Sequence, residues 1–267
     1  MRQRRQGWRR WAGALVVSLV IAAQAVACSS APPLDEMDYA DQAEYLYREG
    51  EQALEGGSYL RAIEHFNVVR NEFPHSRWAA KANLGIGDVY FEQNQLASAV
   101  AQYRGFIDLY PNHERVEYAN FRVAASFFEQ MPSGFFLMPA PHERDLSTTR
   151  EAARELQIFL NRFNDSEYAP QAEEMWREAV GRLARHEYTV AEFYFDRDNP
   201  RATVQRLRHL LENYRGLGLD AEALFLLGKA YVELGERERA QSAWTDLMEI
   251  HPNHPRAADA GKELQKL

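Results

Sequence analysis

The sequence predicts an all-α solenoid of about five stacked helix pairs behind an exported N-terminus. Three observations carry that prediction. From Tyr39 onward apolar residues recur at helical spacing, and no stretch of any length alternates as a strand would. Pro74, Pro111 and Pro252 each end an apolar, helical stretch. The single cysteine, Cys28, directly follows a basic and then apolar N-terminal run.

Residues 1–27 read as a signal peptide. Arg2, Arg4, Arg5, Arg9 and Arg10 precede an apolar run from Trp11 to Val26, and small residues follow at Ala25 and Ala27. The run is short for a bilayer span, which takes ~20 apolar residues. Subtracting those five arginines from the net charge of −8 leaves −13 for the remainder. So acidic a body repels phosphate backbones and anionic lipid surfaces. Nucleic acid is therefore excluded as a partner, and any membrane attachment must be covalent or inserted.

Cys28 has no second cysteine to pair with. Ala25-Val26-Ala27-Cys28 resembles a bacterial lipobox, with Ala25 where leucine is usual. The resemblance implies a diacylglyceryl thioether on Cys28 and an acylated new N-terminus. Several palmitate-like chains, at ~0.8 kcal/mol per buried methylene, make a stable anchor. Ser29 after the cysteine resembles an outer-membrane address. Residues 28–38, small, Pro-containing and acidic, form a tether, and 39–267 the solenoid.

The repeat is legible in three units. The first carries Gly50, Ala62, Phe66 and Pro74; the second Gly87, Tyr90, Ala99, Tyr103 and Pro111; the last Gly228, Tyr231, Ala240, Trp244 and Pro252. This spacing resembles the tetratricopeptide repeat, with small, aromatic, alanine, aromatic and proline positions over ~34 residues. Small residues let the two helix axes approach, aromatics fill the gaps, and proline stops the second helix. Two middle units are degenerate. One has Ala124 and Phe127, then Ala152, Leu156 and Phe159, with Asn164 at its closing position. The other has a first helix around Tyr188–Phe195 and a second around Ala202–Tyr214, with a bridging helix from Glu167 to Arg185 before it.

Residues 131–147 interrupt the pattern. Pro132, Gly134, Pro139 and Pro141 forbid a continuous helix, and Phe135, Phe136, Leu137 and Met138 form an apolar cluster. That cluster either docks a partner or folds back into the solenoid. On the first two units, Tyr47, Glu51, Leu84, Asp88 and Phe91 are candidate groove residues, exposed apolar and acidic side chains suited to an extended peptide with aromatic side chains. No catalytic signature appears. Gly85-Ile86-Gly87 lies inside a repeat helix, and His251 and His254 flank Pro252 without a further metal ligand in sequence. No cofactor, metal site or enzyme activity is expected.

One stretch is more specific. Residues 183–194, LARHEYTVAEFY, closely resemble a segment of the BamD family, lipoproteins of the outer-membrane β-barrel assembly machine. Residues 163–168, FNDSEY, are similar to the same family, with Asn164 where it usually has proline, and Arg144, Asp145 and Ala152 resemble a further element. The resemblance implies an outer-membrane lipoprotein scaffold on the periplasmic face. It implies that N-terminal units receive unfolded outer-membrane protein precursors. C-terminal units would hold the periplasmic domains of the barrel-forming assembly subunit through Glu187, Tyr188, Glu192, Tyr194 and Arg206. The charged members are the stronger contact candidates, since core packing does not account for them. A periplasmic adaptor for cell-envelope or peptidoglycan enzymes is the alternative that the same fold and anchor allow.

Overall fold

The structure is a computed structural model that describes residues 37–132 and 145–267. The signal peptide, Cys28, the apolar cluster Phe135–Met138 and Arg144 lie outside the described residues. The chain divides into two units, 1–42 and 43–267. In the first, the Asp38 carboxylate accepts from the Asp41 amide at 2.9 Å, in the opening turn of the first helix.

Among the described residues there are eleven helices and no strand. They pair as α1 (Tyr39–Glu55) with α2 (Tyr59–Glu72), α3 (Arg77–Glu92) with α4 (Leu96–Leu109), and α5 (Val116–Glu129) with α6 (Ser147–Arg162). Then come α7 (Ala169–Phe195) with α8 (Pro200–Asn213), and α9 (Asp220–Glu233) with α10 (Arg237–Ile250). A single closing helix, α11 (Pro255–Leu264), packs on α9 and α10. The fold is the all-α solenoid of five tetratricopeptide-like pairs that the sequence predicts, with one helix more.

The repeat positions work by ring-on-glycine packing. Phe66 of α2 lies between Gly50 of α1 and Gly85 of α3; a methyl group on either would stand 2.6 or 2.7 Å from the ring. Tyr103 of α4 lies on Gly87 with the same 2.6 Å clearance, and Trp244 of α10 on Gly228. The alanines, Ala62, Ala99 and Ala240, are fully buried beside these contacts. Closest approach therefore falls at the glycines, where a ring replaces the missing side chain.

Four of the turns inside pairs, all but that between α5 and α6, use a left-handed residue: Gly57 (φ 69°), Asn94 (φ 58°), Asp198 (φ 54°) and Gly235 (φ 75°). Glycine pays no steric cost there, and Asn and Asp tolerate it best among the rest. The next amide then bonds back to a carbonyl of the first helix, as from Gln95 to Tyr90 at 2.8 Å and from Asn199 to Tyr194 at 3.0 Å. Asp198 thus marks the fourth pair as a true repeat, although its closing proline is absent.

One expectation needs correction. The bridging helix and the first helix of the fourth pair are one continuous 27-residue helix, α7. Pro170 sits in its first turn, where proline is tolerated, and nothing after it breaks the chain. Gly181 is the only weak former in its middle, and the buried stripe Val180, Leu183, Ala184, Glu187 and Ala191 runs past it. The insertion's apolar cluster lies outside the described residues, so only its ends can be placed. Its described ends are anchored, with Met131 6% and Leu146 2% exposed in a core shared with Val180 and Leu183 of α7. Just ahead of α6, the Asp145 carboxylate accepts from the Ser147 amide at 3.0 Å.

Candidate functional site

The first helices of the N-terminal pairs carry a pocket of about 250 Å³. Tyr47, Glu51, Leu84 and Asp88 line it, joined by Trp78, Lys81, Glu114 and Arg115. Four of the five groove residues expected from sequence are thus brought together. Trp78, Lys81 and Arg115 were missed, although Trp78, Lys81, Leu84 and Asp88 recur at three- and four-residue steps along one face of α3.

Its walls are aromatic and its lining is mixed in charge, with Lys81 and Arg115 beside Glu51, Asp88 and Glu114. Tyr47 stacks on Trp78 with centroids 4.9 Å apart and donates to Glu51 at 2.7 Å. Lys81 lies 4.8 Å over the Trp78 ring, and Arg115 4.7 Å over Tyr118. Neither cation forms an ion pair among the described residues, so both charges remain available. Burial pushes the Tyr47 hydroxyl well above the ordinary tyrosine range, and Glu51 adds to this by holding its proton. It is a neutral donor at any physiological pH.

Two expected groove residues do other work. Leu84 is 4% exposed and forms the pocket floor rather than a presented side chain. Phe91 is half-buried, and the Arg122 guanidinium covers its ring at 3.7 Å. Phe91 does not line the pocket.

Asp88 is the centre of a polar knot between α3, α4 and α5. Its Oδ1 accepts from the hydroxyls of Tyr103 and Tyr118, each at 2.6 Å. Arg122 Nε stands 3.6 Å from the same oxygen and donates to the Tyr103 hydroxyl at 3.1 Å. Burial pushes the Asp88 carboxyl up, while the two tyrosines and Arg122 pull it down.

The C-terminal candidates separate onto different faces. Glu187 is 9% exposed and accepts from Arg206 Nη1 at 3.2 Å across the α7–α8 seam. It is therefore not offered to a partner, and its burial answers why a charge stands there: a hydrogen-bonded cation is paired with it. Arg206, at 43% side-chain exposure, remains presented. Tyr188 is half-buried against the C-terminal core, and its hydroxyl is pushed up by burial and by Glu192, to which it donates. Glu192 is exposed. Tyr194 meets Phe193 edge-on at 5.7 Å, and Phe193 itself is 48% exposed with Arg197 lying 3.6 Å over it.

The two histidines do have acidic neighbours, which sequence spacing hid. His251 Nε2 stands 3.9 Å from Asp220 and His254 Nε2 3.4 Å from Glu222, both acids in the first turn of α9. Residues two apart on a helix point away from each other, so these are separate contacts. Among the described residues no three His, Cys, Asp or Glu side chains converge as a metal site. Nor is any helix among them long and apolar enough to cross a membrane.

A family model described as YfiO, outer membrane lipoprotein, matches residues 39–247. The chain is 26% identical over 227 residues to the outer membrane protein assembly factor BamD of Caulobacter vibrioides, covering 85% of this chain and 72% of that protein. It is 27% identical over 244 residues to BamD of Neisseria meningitidis serogroup A, covering 90% and 91%. Among solved structures it is similar to the TPR2AB domain of yeast Sti1 in its pHSP90 complex. There the TM-score is 0.44 and identity 13%, over 85% of this chain and 84% of that one.

Proposed function

The chain belongs to the YfiO family of outer membrane lipoproteins, and on that premise we propose that it is a non-enzymatic scaffold for outer-membrane protein assembly. The N-terminal pocket receives extended segments of unfolded outer-membrane proteins. The C-terminal pairs hold the barrel-forming assembly subunit through its periplasmic domains. Cys28 carries the acyl chains that keep the chain on the periplasmic face of the outer membrane.

The observation that carries the precursor-binding role is the pocket between Tyr47, Trp78 and Leu84, rimmed by Lys81 and Arg115. Aromatic walls accept the aromatic side chains of a strand precursor, and the free cations hold carboxylates along it. For the assembly subunit, Arg206, Glu192, Tyr188 and Tyr194 are the proposed contacts, with Glu187 orienting Arg206 from below. Relatives named as outer membrane protein assembly factors support the place of the chain in that assembly.

Affinity purification of the C-terminally tagged full chain from detergent-solubilised envelopes tests it. A large β-barrel protein with periplasmic domains is expected at near-stoichiometric yield, reduced severalfold by Arg206→Glu, and Cys28→Ala is expected to leave the chain off the membrane. Peptidoglycan or division proteins in place of the barrel protein would sink the proposal.

A further inference from the structure

The geometry points to Asp88 as the positioning residue of the N-terminal pocket, acting on ligand affinity through the spacing of α3 and α5 rather than by touching the ligand. This rests on the precursor-binding reading of that pocket.

The pocket has walls from α1, α3 and the α4–α5 corner, and none of these segments is covalently close to another. Beside the apolar contact of Ala80 and Leu84 with Val116, Ala119 and Val123, Asp88 ties α3 to α5 by hydrogen bonds. One carboxylate oxygen gathers Tyr103 from the second helix of the pair and Tyr118 from the first helix of the next, both at 2.6 Å. Two short hydrogen bonds to one charged acceptor fix both distance and angle. Arg122, one turn beyond Tyr118, closes the knot: it reaches Asp88 at 3.6 Å, Glu92 at 3.8 Å, the Tyr103 hydroxyl at 3.1 Å and the Phe91 ring at 3.7 Å. The hydrogen bonds that Asp88 Oδ1 accepts thus both come from the scaffold.

Tyr118 links this knot to the ligand side. Its ring carries Arg115 at 4.7 Å, and Arg115 is one of the two free cations at the pocket rim. Movement of Tyr118 therefore moves Arg115 relative to Lys81 and Trp78 on α3. Asp88 sets the distance between the two cations without needing contact with what they bind. A misplacement of about 1 Å in a preorganised site is enough to lose much of its affinity.

The test separates a positioning acid from a contacting one. Asp88→Asn keeps a carbonyl oxygen for both tyrosines but removes the charge, whereas Asp88→Ala removes the acceptor. The probe is a fluorescein-labelled synthetic peptide copied from one β-strand of an outer-membrane barrel protein, with anisotropy read on the full chain in detergent. Expected are a Kd within about threefold of the parent for Asp88→Asn and a loss of about tenfold or more for Asp88→Ala. The double variant Tyr103→Phe/Tyr118→Phe is expected to follow Asp88→Ala. Equal losses for Asn and Ala would mean that the charge meets the ligand, and no loss for Ala would mean that the knot is irrelevant; either overturns the proposal. Hydrogen exchange without peptide is the second readout. Asp88→Ala, but not Asp88→Asn, is expected to accelerate exchange in α3 and α5 while leaving α9 and α10 unchanged. If the parent chain ignores the peptide, the precursor-binding reading falls, and the exchange pattern alone still decides whether Asp88 sets the α3–α5 spacing.

Discussion

Tyr103 and Trp244 occupy the same place in their repeats and differ in where their polar ends go. Both are fully buried second-helix aromatics that lie on a first-helix glycine, Gly87 and Gly228. The Trp244 indole N–H donates to the Phe225 carbonyl at 3.1 Å, so the bond ends in backbone. The Tyr103 hydroxyl donates instead to a side chain, Asp88, which lines the N-terminal pocket. One packing solution thus serves two purposes. In the last pair it closes the core, and in the second it ties the core to a binding surface.

The largest effect should be common to both places. Gly228→Ala forces a methyl group into the Trp244 indole, and Gly87→Ala one into Tyr103. Each should lower stability by about 3 kcal/mol, the upper end for overpacking, in urea unfolding followed by helical circular dichroism. A neutral result at either site would break the equivalence. Alkali should then discriminate. Burial holds the hydroxyls of Tyr47, Tyr103 and Tyr118 above their ordinary range. Since the folded state binds the proton more tightly, stability is intact below about pH 10 and falls as pH rises above it, by about 1.4 kcal/mol per pH unit for a fully buried tyrosine. Hydrogen exchange at rising pH should show α3–α5 opening before α9–α10.

Smaller substitutions sharpen the contrast. Tyr103→Phe and Trp244→Phe each remove one hydrogen bond, about 1 kcal/mol, with a further cost for the smaller ring at Trp244. Only Tyr103→Phe should also weaken peptide binding in the anisotropy assay, and equal behaviour would erase the distinction. At the small end stands Arg208→Ala. It breaks the exposed α8 pair with Glu212 at 3.2 Å and should change the urea midpoint by less than about 0.5 kcal/mol.

The pairs with glycine, aromatic and proline intact were readable because each signal lies within one repeat and has a local cause. The fourth pair was harder, since its turn is marked by Asp198 rather than glycine and its long first helix carries no internal stop. The pocket was readable as a face of α1 and α3, but not its far rim: Arg115 reaches it from another repeat. Asp88 and Tyr118 lie thirty residues apart, and Glu187 and Arg206 nineteen, so no local pattern announces either bond. That is why Glu187 read as a surface charge. Likewise the carboxylates beside His251 and His254 come from the start of α9, about thirty residues earlier.

Helix α7 belongs to two cores at once. Ala172, Met175, Ala179, Val180 and Leu183 pack with α5 and α6, while Ala184 and Ala191 pack with α8 to α10. A rod of 27 residues, roughly 40 Å long, therefore sets the angular phase between the two ends of the repeat array. Removing one residue near Gly181 would turn everything beyond it by about 100° and draw it in by about 1.5 Å. Length inside α7 is therefore the dimension that this fold cannot vary freely: like a key cut to one lock, it admits substitution along its edge but no change in the number of its teeth.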